Sequence, residues 1–138
     1  MRRCPDLAGL RILVVEDEVL VAINLELLLE EIGCTVAATA HRVAPALETV
    51  AALGGTEDAP DIAVLDVNIA GEMVFPVADA LADRGIPFLF ATGYGRAVLA
   101  GAGERHADCP VLQKPYSRLQ LATALRDALG RGGPAGDG

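Results

Sequence analysis

The chain contains little positive charge. Its 11 lysine and arginine residues are outnumbered by 19 aspartate and glutamate residues, which gives a formal net charge of -8 at pH 7. The basic residues are also scattered along the sequence. A nucleic-acid-binding domain normally carries a basic patch or stripe that contacts phosphates, so we predict that this chain does not bind nucleic acid.

Long apolar runs are missing as well. No stretch reaches the roughly 18 apolar residues typical of a membrane-spanning helix, and residues 1–6 carry charged side chains with no apolar signal core behind them. We therefore expect no membrane association and a cytoplasmic location. The three cysteines, Cys4, Cys34 and Cys109, are widely spaced and form no C-x-x-C pair, so neither a zinc site nor a redox motif is indicated.

The composition that remains supports one folded domain. The 138 residues are 52% hydrophobic and 22% charged, which is enough apolar material for a buried core. We place the domain at residues 10–129, after an N-terminal extension at residues 1–9. Residues 130–138 are glycine-rich and lack an apolar anchor, so we predict a disordered tail. We expect a monomer.

Short apolar runs alternate with helical stripes along this domain. Strands are predicted at 10–15, 34–39, 61–65, 86–91 and 111–112. Helices are predicted at 19–32, over 43–50, from 74 to just before Gly85, over a short glycine-rich stretch at 96–102, and after Ser117. Gly33 tolerates the left-handed conformation that ends a helix, and Ser117 with Gln120 forms a capping box. The alternation predicts an α/β fold with a parallel sheet covered by helices on both faces.

Polar and charged side chains follow four of the predicted strands. Glu16 and Asp17 follow the first strand, Asp66 the third, Thr92 the fourth and Lys114 the fifth. Ligands of open parallel sheets bind at the carboxyl ends of the strands, so we expect these groups to meet. Because neighbouring carboxylates resist joint ionisation, the acidic groups require a divalent metal, and the lysine requires an anion. Together they indicate the chemistry of a phosphoryl group.

In this order and spacing, the residues resemble a response-regulator receiver domain over about residues 10–129. The resemblance implies a flavodoxin-like (βα)5 doubly wound sheet with strand order 2-1-3-4-5. It implies that Asp66 accepts a phosphoryl group from a sensor histidine kinase or a histidine phosphotransfer protein, and that the acyl phosphate is later lost by autodephosphorylation. Receivers act in this way as signalling proteins rather than as conventional enzymes.

The resemblance also assigns the remaining site residues. It implies that Mg²⁺ is held by Asp17 and Asp66, by Glu16 through water, and by the backbone carbonyl of Asn68. Lys114 would pair with a phosphate oxygen, and the hydroxyl of Thr92 would hydrogen-bond the phosphoryl group after transfer.

A narrower resemblance is carried by Phe90-Ala91-Thr92-Gly93-Tyr94. This piece is similar to the signature of the FAT GUY subfamily, whose members are typically single-domain regulators of stress responses in alphaproteobacteria. Two departures from ordinary receivers stand out. Ala70 replaces the usual proline four residues after the acceptor aspartate, and Val111 replaces the usual aromatic residue three positions before the lysine. We therefore expect Tyr94 or Tyr116 to act as the switch aromatic, and phosphorylation to order residues 93–103.

The first helix is apolar around most of its circumference, although a helix that covers a sheet needs only one apolar stripe. We interpret the surplus as a surface for docking the partner kinase, formed by Val19, Leu20, Ile23 and Pro115. His41 and His106 have no second ligand at metal spacing, and His106 is predicted to lie in a polar loop.

Other classes of protein remain possible readings of the same residues. A metal-dependent phosphatase or hydrolase on this kind of sheet would also use an aspartate nucleophile, an acidic pair and a lysine, but it would need a substrate-covering cap. A degenerate receiver that serves only as a scaffold is disfavoured by the complete residue set. The sequence is also compatible with a receiver domain excised from a larger protein.

Overall fold

The computed structural model describes residues 6–93, 106 and 108–132. The elements follow one another in this order: β1 (Arg11–Val15), α1 (Val19–Ile32), β2 (Thr35–Ala40), α2 (Val43–Leu53), β3 (Ile62–Asp66), β4 (Asn68–Ile69), β5 (Glu72–Met73), α3 (Phe75–Asp83), β6 (Phe88–Thr92), β7 (Val111–Gln113) and α4 (Arg118–Gly132).

Five strands form one parallel sheet in the order β2-β1-β3-β6-β7. Counted among the strands of this sheet alone, the order is 2-1-3-4-5, so the predicted doubly wound topology is confirmed. Strand β6 is buried along its whole length, and β1 and β3 are buried except at one terminal residue each. Such uninterrupted burial is typical of strands that are covered on both faces.

The core is divided between the two faces of the sheet. On one face, α2 and α3 pack over side chains that include Leu13, Leu65 and Phe90. On the other face, α1 and α4 pack over side chains that include Val14, Val64 and Leu89. The alternation of neighbouring residues between the two clusters follows from the two-residue period of a strand. Because all five strands run parallel, their last residues lie at one common edge of the sheet.

Local signals in the sequence explain how two of the helices end or begin. Gly33 ends α1 with a φ of 113°, in the left-handed region. The capping box before α4 is confirmed: the Ser117 amide donates to Gln120 Oε1 at 2.8 Å, and the Gln120 amide donates to Ser117 Oγ at 3.1 Å. No described helix is long and apolar enough to cross a bilayer.

Two observations bear on the predicted limits of the domain. The N-terminal extension packs on the domain from residue 6: Leu7 is fully buried, and Arg126 donates to Asp6 Oδ2 at 2.7 Å. Helix α4 continues to Gly132, past Gly130, where the predicted disordered tail begins. Residues 133–138 and the helix predicted at 96–102 lie outside the described residues, among which the structure has four helices.

A small antiparallel hairpin that was not predicted follows β3. Asn68 pairs with Met73, and Ile69 pairs with Glu72. The two turn residues both have positive φ, 54° at Ala70 and 89° at Gly71. This is the pattern of a type I′ turn, whose twist matches that of the strands it joins. The hairpin lies beside the edge at which the polar groups gather.

Candidate metal and phosphoryl site

The carboxyl ends of four strands bring the predicted site residues together. Carboxylate oxygens of Glu16, Asp17 and Asp66 lie within 4.8 Å of one another. The strands that carry Thr92 and Lys114 are locked in register, because the Lys114 amide donates to the Thr92 carbonyl at 2.8 Å. The sheet edge therefore assembles the acidic groups, the hydroxyl and the ammonium as predicted from the strand order.

Glu16 is the most buried of the three acids, with 3% of its surface exposed. Its Oε1 accepts a hydrogen bond from Lys114 Nζ at 2.8 Å, and its Oε2 accepts one from the Glu18 amide at 3.2 Å. Its backbone carbonyl accepts a hydrogen bond from His41 Nδ1 at 2.8 Å. A carboxylate buried in this way is stable only when it is paired, and here the partners also fix its orientation.

Asp66 lies next to the same ammonium group, with Lys114 Nζ 3.4 Å from its Oδ1. The pKa of Asp66 is raised to about 7, chiefly by burial; the charge of Lys114 lowers this pKa, and the charge of Glu16 raises it. Burial by itself would lower the pKa of Lys114, but the hydrogen bond to Glu16 and the charges of Asp66 and Glu16 raise it above its usual value. The lysine is therefore a permanent cation, whereas burial makes the negative charge of Asp66 costly in the metal-free site.

Asp17 is held from the opposite side of the site. Its Oδ2 accepts a hydrogen bond from the Ala70 amide at 2.9 Å, across 53 residues of sequence. The turn that presents this amide is closed by a second hydrogen bond, from the Gly71 amide to Asn68 Oδ1 at 3.0 Å. One acid ligand is thus oriented by the backbone of the hairpin rather than by a cation.

The backbone of Asn68 fits its predicted role. The Val74 amide donates to the Val67 carbonyl at 2.8 Å, and hydrogen-bonded pairs alternate with non-bonded pairs along an antiparallel ladder. Asn68 and Met73 therefore form a non-bonded pair, in which the Asn68 carbonyl points away from the opposite strand. That carbonyl therefore accepts no hydrogen bond from the ladder of the hairpin.

These groups line a cleft of about 280 Å³, whose walls are Asp17, Glu18, Asp66, Val67, Asn68, Met73, Thr92, Gly93 and Lys114. Every metal-ligating side chain of the acidic cluster offers a carboxylate oxygen. Mg²⁺ prefers oxygen donors and retains several waters in an open site. The donor set and the open cleft therefore fit Mg²⁺, whereas they offer nothing to a metal that prefers sulfur or imidazole.

The residues proposed as switches have different surroundings. Thr92 is buried at the end of β6. Tyr116 packs against the core under α1 and α4, and burial, followed by the charges of Glu16 and Asp66, raises the pKa of its phenol to about 12. Tyr116 is therefore a neutral ring beside the acidic site. Tyr94 lies outside the described residues.

A buried histidine was missed from the sequence. His106 is 2% exposed, so its assignment to a polar loop is wrong. Its ring makes edge contacts with Phe88 and Phe90, and its Nε2 lies 2.7 Å from Asp79 Oδ1 on α3. Val111 is paired with Phe90 in the sheet and carries no ring itself. The described aromatic rings on this face come from Phe75 of α3, from Phe88 and Phe90 of β6, and from His106.

The apolar surplus of α1 is exposed as expected. Ala22, Leu25, Leu29 and Ile32 face the core, whereas Leu20 is 81% exposed, Val19 56% and Ile23 45%. Leu20 also lines a cleft of about 480 Å³ together with Val21, Asn24, Lys114, Pro115 and Tyr116. This second cleft adjoins the acidic site, because Lys114 lines both.

A doubly wound parallel sheet with an acidic cluster, a hydroxyl and a lysine at its carboxyl edge is typical of the class of α/β proteins that can hold a divalent metal beside an anion. Comparison with known proteins narrows that class. The chain is 45% identical to SdrG from Sphingomonas melonis Fr1 in a match that covers 88% of this chain and 97% of SdrG, with a TM-score of 0.72. It is 28% identical to the PhyR response regulator REC domain of Erythrobacter litoralis, covering 90% and 92% of the two chains, with a TM-score of 0.73.

The transcriptional regulatory protein TcrA of Mycobacterium tuberculosis is 36% identical over 135 residues, which is 96% of this chain and 51% of TcrA. The chain spans about half the length of the curated relatives it matches. No protein-family model matches it. The chain belongs to the response-regulator receiver family of two-component signalling. Receiver domains are signalling modules rather than conventional enzymes, generally bind Mg²⁺, and interact with histidine kinases or phosphotransfer proteins.

Proposed function

We propose that this chain is a phosphoacceptor in a cytoplasmic two-component relay, modified on Asp66. The observation that carries the proposal is the convergence of Glu16, Asp17 and Asp66 within 4.8 Å beside Lys114. The phosphoryl group would come from a phosphohistidine on a sensor kinase or a histidine phosphotransfer protein. Mg²⁺ would be held by Asp17 and Asp66, by Glu16 through water, and by the Asn68 carbonyl.

The reaction follows from the positions of these side chains. A carboxylate oxygen of Asp66 attacks phosphorus, the P–N bond to the donor imidazole breaks, and the imidazole leaves with its electron pair. Mg²⁺, when held by these carboxylates, would offset the charge on the transferring phosphoryl oxygens. Lys114 supplies a point charge to one phosphoryl oxygen, and the Thr92 hydroxyl donates to another. Water later attacks the acyl phosphate, which restores the Asp66 carboxylate.

The raised pKa of Asp66 fits this role. With no metal bound, part of the Asp66 population is protonated near neutral pH, because its pKa is about 7. A protonated carboxyl is a poor nucleophile. A divalent cation beside Asp66 would favour the ionised form of the carboxyl, so Asp66 would be a nucleophilic carboxylate once the site is loaded.

The experiment that tests this proposal is phosphorylation with acetyl phosphate and Mg²⁺. We expect an acid-stable, base-labile phosphate on the native chain, detected by intact-mass spectrometry, and none on Asp66→Asn. Asn preserves the shape of the side chain but cannot form an acyl phosphate. Phosphate on Asp66→Asn, or no phosphate on the native chain, would contradict the proposal.

We propose that the kinase docks on the exposed face of α1 and on the loop that follows β7. The contacting residues would be Val19, Leu20, Ile23 and Pro115. The support is the run of exposed apolar side chains beside the cleft that contains Lys114. Leu20→Asp should slow transfer from a histidine-phosphorylated partner and leave acetyl phosphate labelling unchanged. Leu119→Asp is a matched control, because Leu119 is 73% exposed but lines a different groove. Equal transfer rates in the two variants would count against this docking surface.

The output of the modified protein is proposed to be protein contact, in the manner of the FAT GUY subfamily. The resemblance of Phe90-Ala91-Thr92-Gly93-Tyr94 to the signature of that subfamily supports this assignment. Phosphorylation would order residues 93–103, with Tyr94 or Tyr116 as the responding aromatic. Amide relaxation measured with and without beryllofluoride tests the idea, since equal rigidity in both states would refute it.

The chain is proposed to act as a stand-alone regulator, because its match covers 97% of the SdrG chain. A receiver within a longer regulator is the alternative, and the 51% coverage of TcrA favours it. The apparent mass of the native protein in cell extract, detected with an antibody against this domain, distinguishes the two.

A further inference from the structure

The hairpin places an unusual residue against a metal ligand. Ala70 has a φ of 54°, and it is the one described residue other than glycine with a positive φ. Left-handed backbone is costly for a residue with a Cβ, so surrounding contacts must hold it there. The contact that the Ala70 amide makes is the 2.9 Å hydrogen bond to Asp17 Oδ2.

The rest of the hairpin is built so that this amide stays in place. Asn68 Oδ1 accepts from the Gly71 amide, which closes the turn on one side. The Val67 carbonyl accepts from the Val74 amide, which ties the base of the hairpin to the start of α3. Val67, Ile69 and Val74 are buried in the core beneath it. The turn is therefore anchored to the sheet and not free to drift from Asp17.

We propose that Ala70 is a positioning residue for magnesium, acting through its backbone N–H on the carboxylate of Asp17. The amide donates to one carboxylate oxygen and so fixes the rotation of the group toward Glu16 and Asp66. A carboxylate that is already oriented loses less conformational freedom when it binds a cation. This inference rests on the proposed function, since it concerns the same metal site.

The identity of residue 70 follows from this role. Proline has no N–H and a φ fixed near about -65°, so it can neither donate to Asp17 nor adopt the turn seen here. Glycine retains the N–H and accepts positive φ without strain. Proline at position 70 would therefore remove the hydrogen bond to Asp17, and only residues that retain an amide proton can make it.

The test is a titration with Mg²⁺ alone, with no phosphodonor, followed by calorimetry and by the amide resonances of the site. Hydrogen-bonded partners of metal ligands typically contribute roughly 10–100-fold to metal affinity. We expect Ala70→Pro to weaken Mg²⁺ binding within that range, and Ala70→Gly to bind as the native chain does.

A second variant removes the N–H without changing the turn. Replacing Ala70 by L-lactic acid, through semisynthesis, converts the amide to an ester and retains the methyl group. We expect this variant to bind Mg²⁺ more weakly than the native chain even if Ala70→Pro fails to fold. Native affinity in the ester variant would overturn the inference.

The outcomes separate this inference from the proposed function. Absence of Mg²⁺ binding by the native chain would refute both. Mg²⁺ binding that Asp17→Asn abolishes, but that Ala70→Pro and the ester leave unchanged, would retain the metal site and refute the role of Ala70 alone.

Discussion

The two sides of the acidic cleft are held by different forces. On the side of Glu16 and Lys114, charged side chains pair directly, with Nζ 2.8 Å from the Glu16 carboxylate and 3.4 Å from that of Asp66. On the side of Asp17, a backbone amide from the hairpin makes the contact. A charge pair can exchange partners when a phosphoryl group arrives, whereas an anchored amide cannot. Under the proposed function, Lys114 would therefore serve the phosphoryl group, and the amide of Ala70 would serve the metal through Asp17.

Removing the lysine should produce the largest effect. Lys114→Ala deletes the cation that faces the transferring phosphoryl group, and loss of one such electrostatic contact typically costs roughly 100–1,000-fold in rate. We expect phosphorylation of Asp66 by acetyl phosphate to slow by about that factor, measured by intact-mass spectrometry over time.

The same variant should bind Mg²⁺ more tightly than the native chain, because a positive charge next to the cation has been removed. Slower phosphorylation together with tighter Mg²⁺ binding would show that the two sides of the cleft have separate roles. If Lys114→Ala loses phosphorylation and Mg²⁺ binding together, with a native circular dichroism spectrum, the two sides of the cleft are not separable.

The next effect concerns pH. The pKa of Asp66 is raised to about 7 in the metal-free protein, so below that pH Mg²⁺ must displace a proton. We expect affinity for Mg²⁺ to fall about tenfold for each pH unit below about 7, as one displaced proton requires, and to level off above it. Calorimetric titrations at a series of pH values check this, and a pH-independent affinity would contradict it.

The same shift sets the sign of stability in the absence of metal. The folded chain retains the Asp66 proton up to about pH 7, whereas the ordinary pKa of an aspartate side chain is 3.8. The folded state binds more protons between these values, so its stability falls as the pH rises through that window. Asp66→Asn cannot titrate at this position, so its unfolding free energy should show a smaller fall over the same window.

The lysine side was predictable from the sequence because each of its residues ends an apolar strand. The apolar runs before Glu16, Asp66 and Lys114 predict strands, and the carboxyl ends of parallel strands lie at one edge of the sheet. The order of these strands came from the resemblance to receivers, and the structure confirms it. Periodicity and family pattern therefore agreed on this half of the site.

The hairpin side could not be predicted, because its strands are two residues each and no period can be read from them. Alanine is also not a residue that signals a left-handed turn. The burial of Leu7 and of His106 could not be predicted for a related reason, since each is buried by residues distant in sequence. Leu7 packs in the core under α1 and α4, and His106 contacts Asp79 and two phenylalanines.

The smallest expected effect tests whether the shape of the turn matters for the metal. Gly71→Ala adds a Cβ at a φ of 89°, and Gly85→Ala adds one at 72°, with no atom within 4 Å in either case. Since strain alone acts at both positions, each should lower the free energy of unfolding by about 1 kcal/mol. Urea denaturation followed by circular dichroism measures this cost.

Only the change at residue 71 should affect Mg²⁺ binding. The Gly71 amide donates a hydrogen bond to Asn68, and Gly71 follows Ala70, whose amide donates to Asp17. Gly85 lies beyond α3 and serves as a control of equal local cost. Mg²⁺ affinity should therefore weaken in Gly71→Ala, by less than in Ala70→Pro, and stay native in Gly85→Ala. If both glycine variants weaken Mg²⁺ binding equally, general destabilisation would explain the loss, and the hairpin would have no special hold on Asp17.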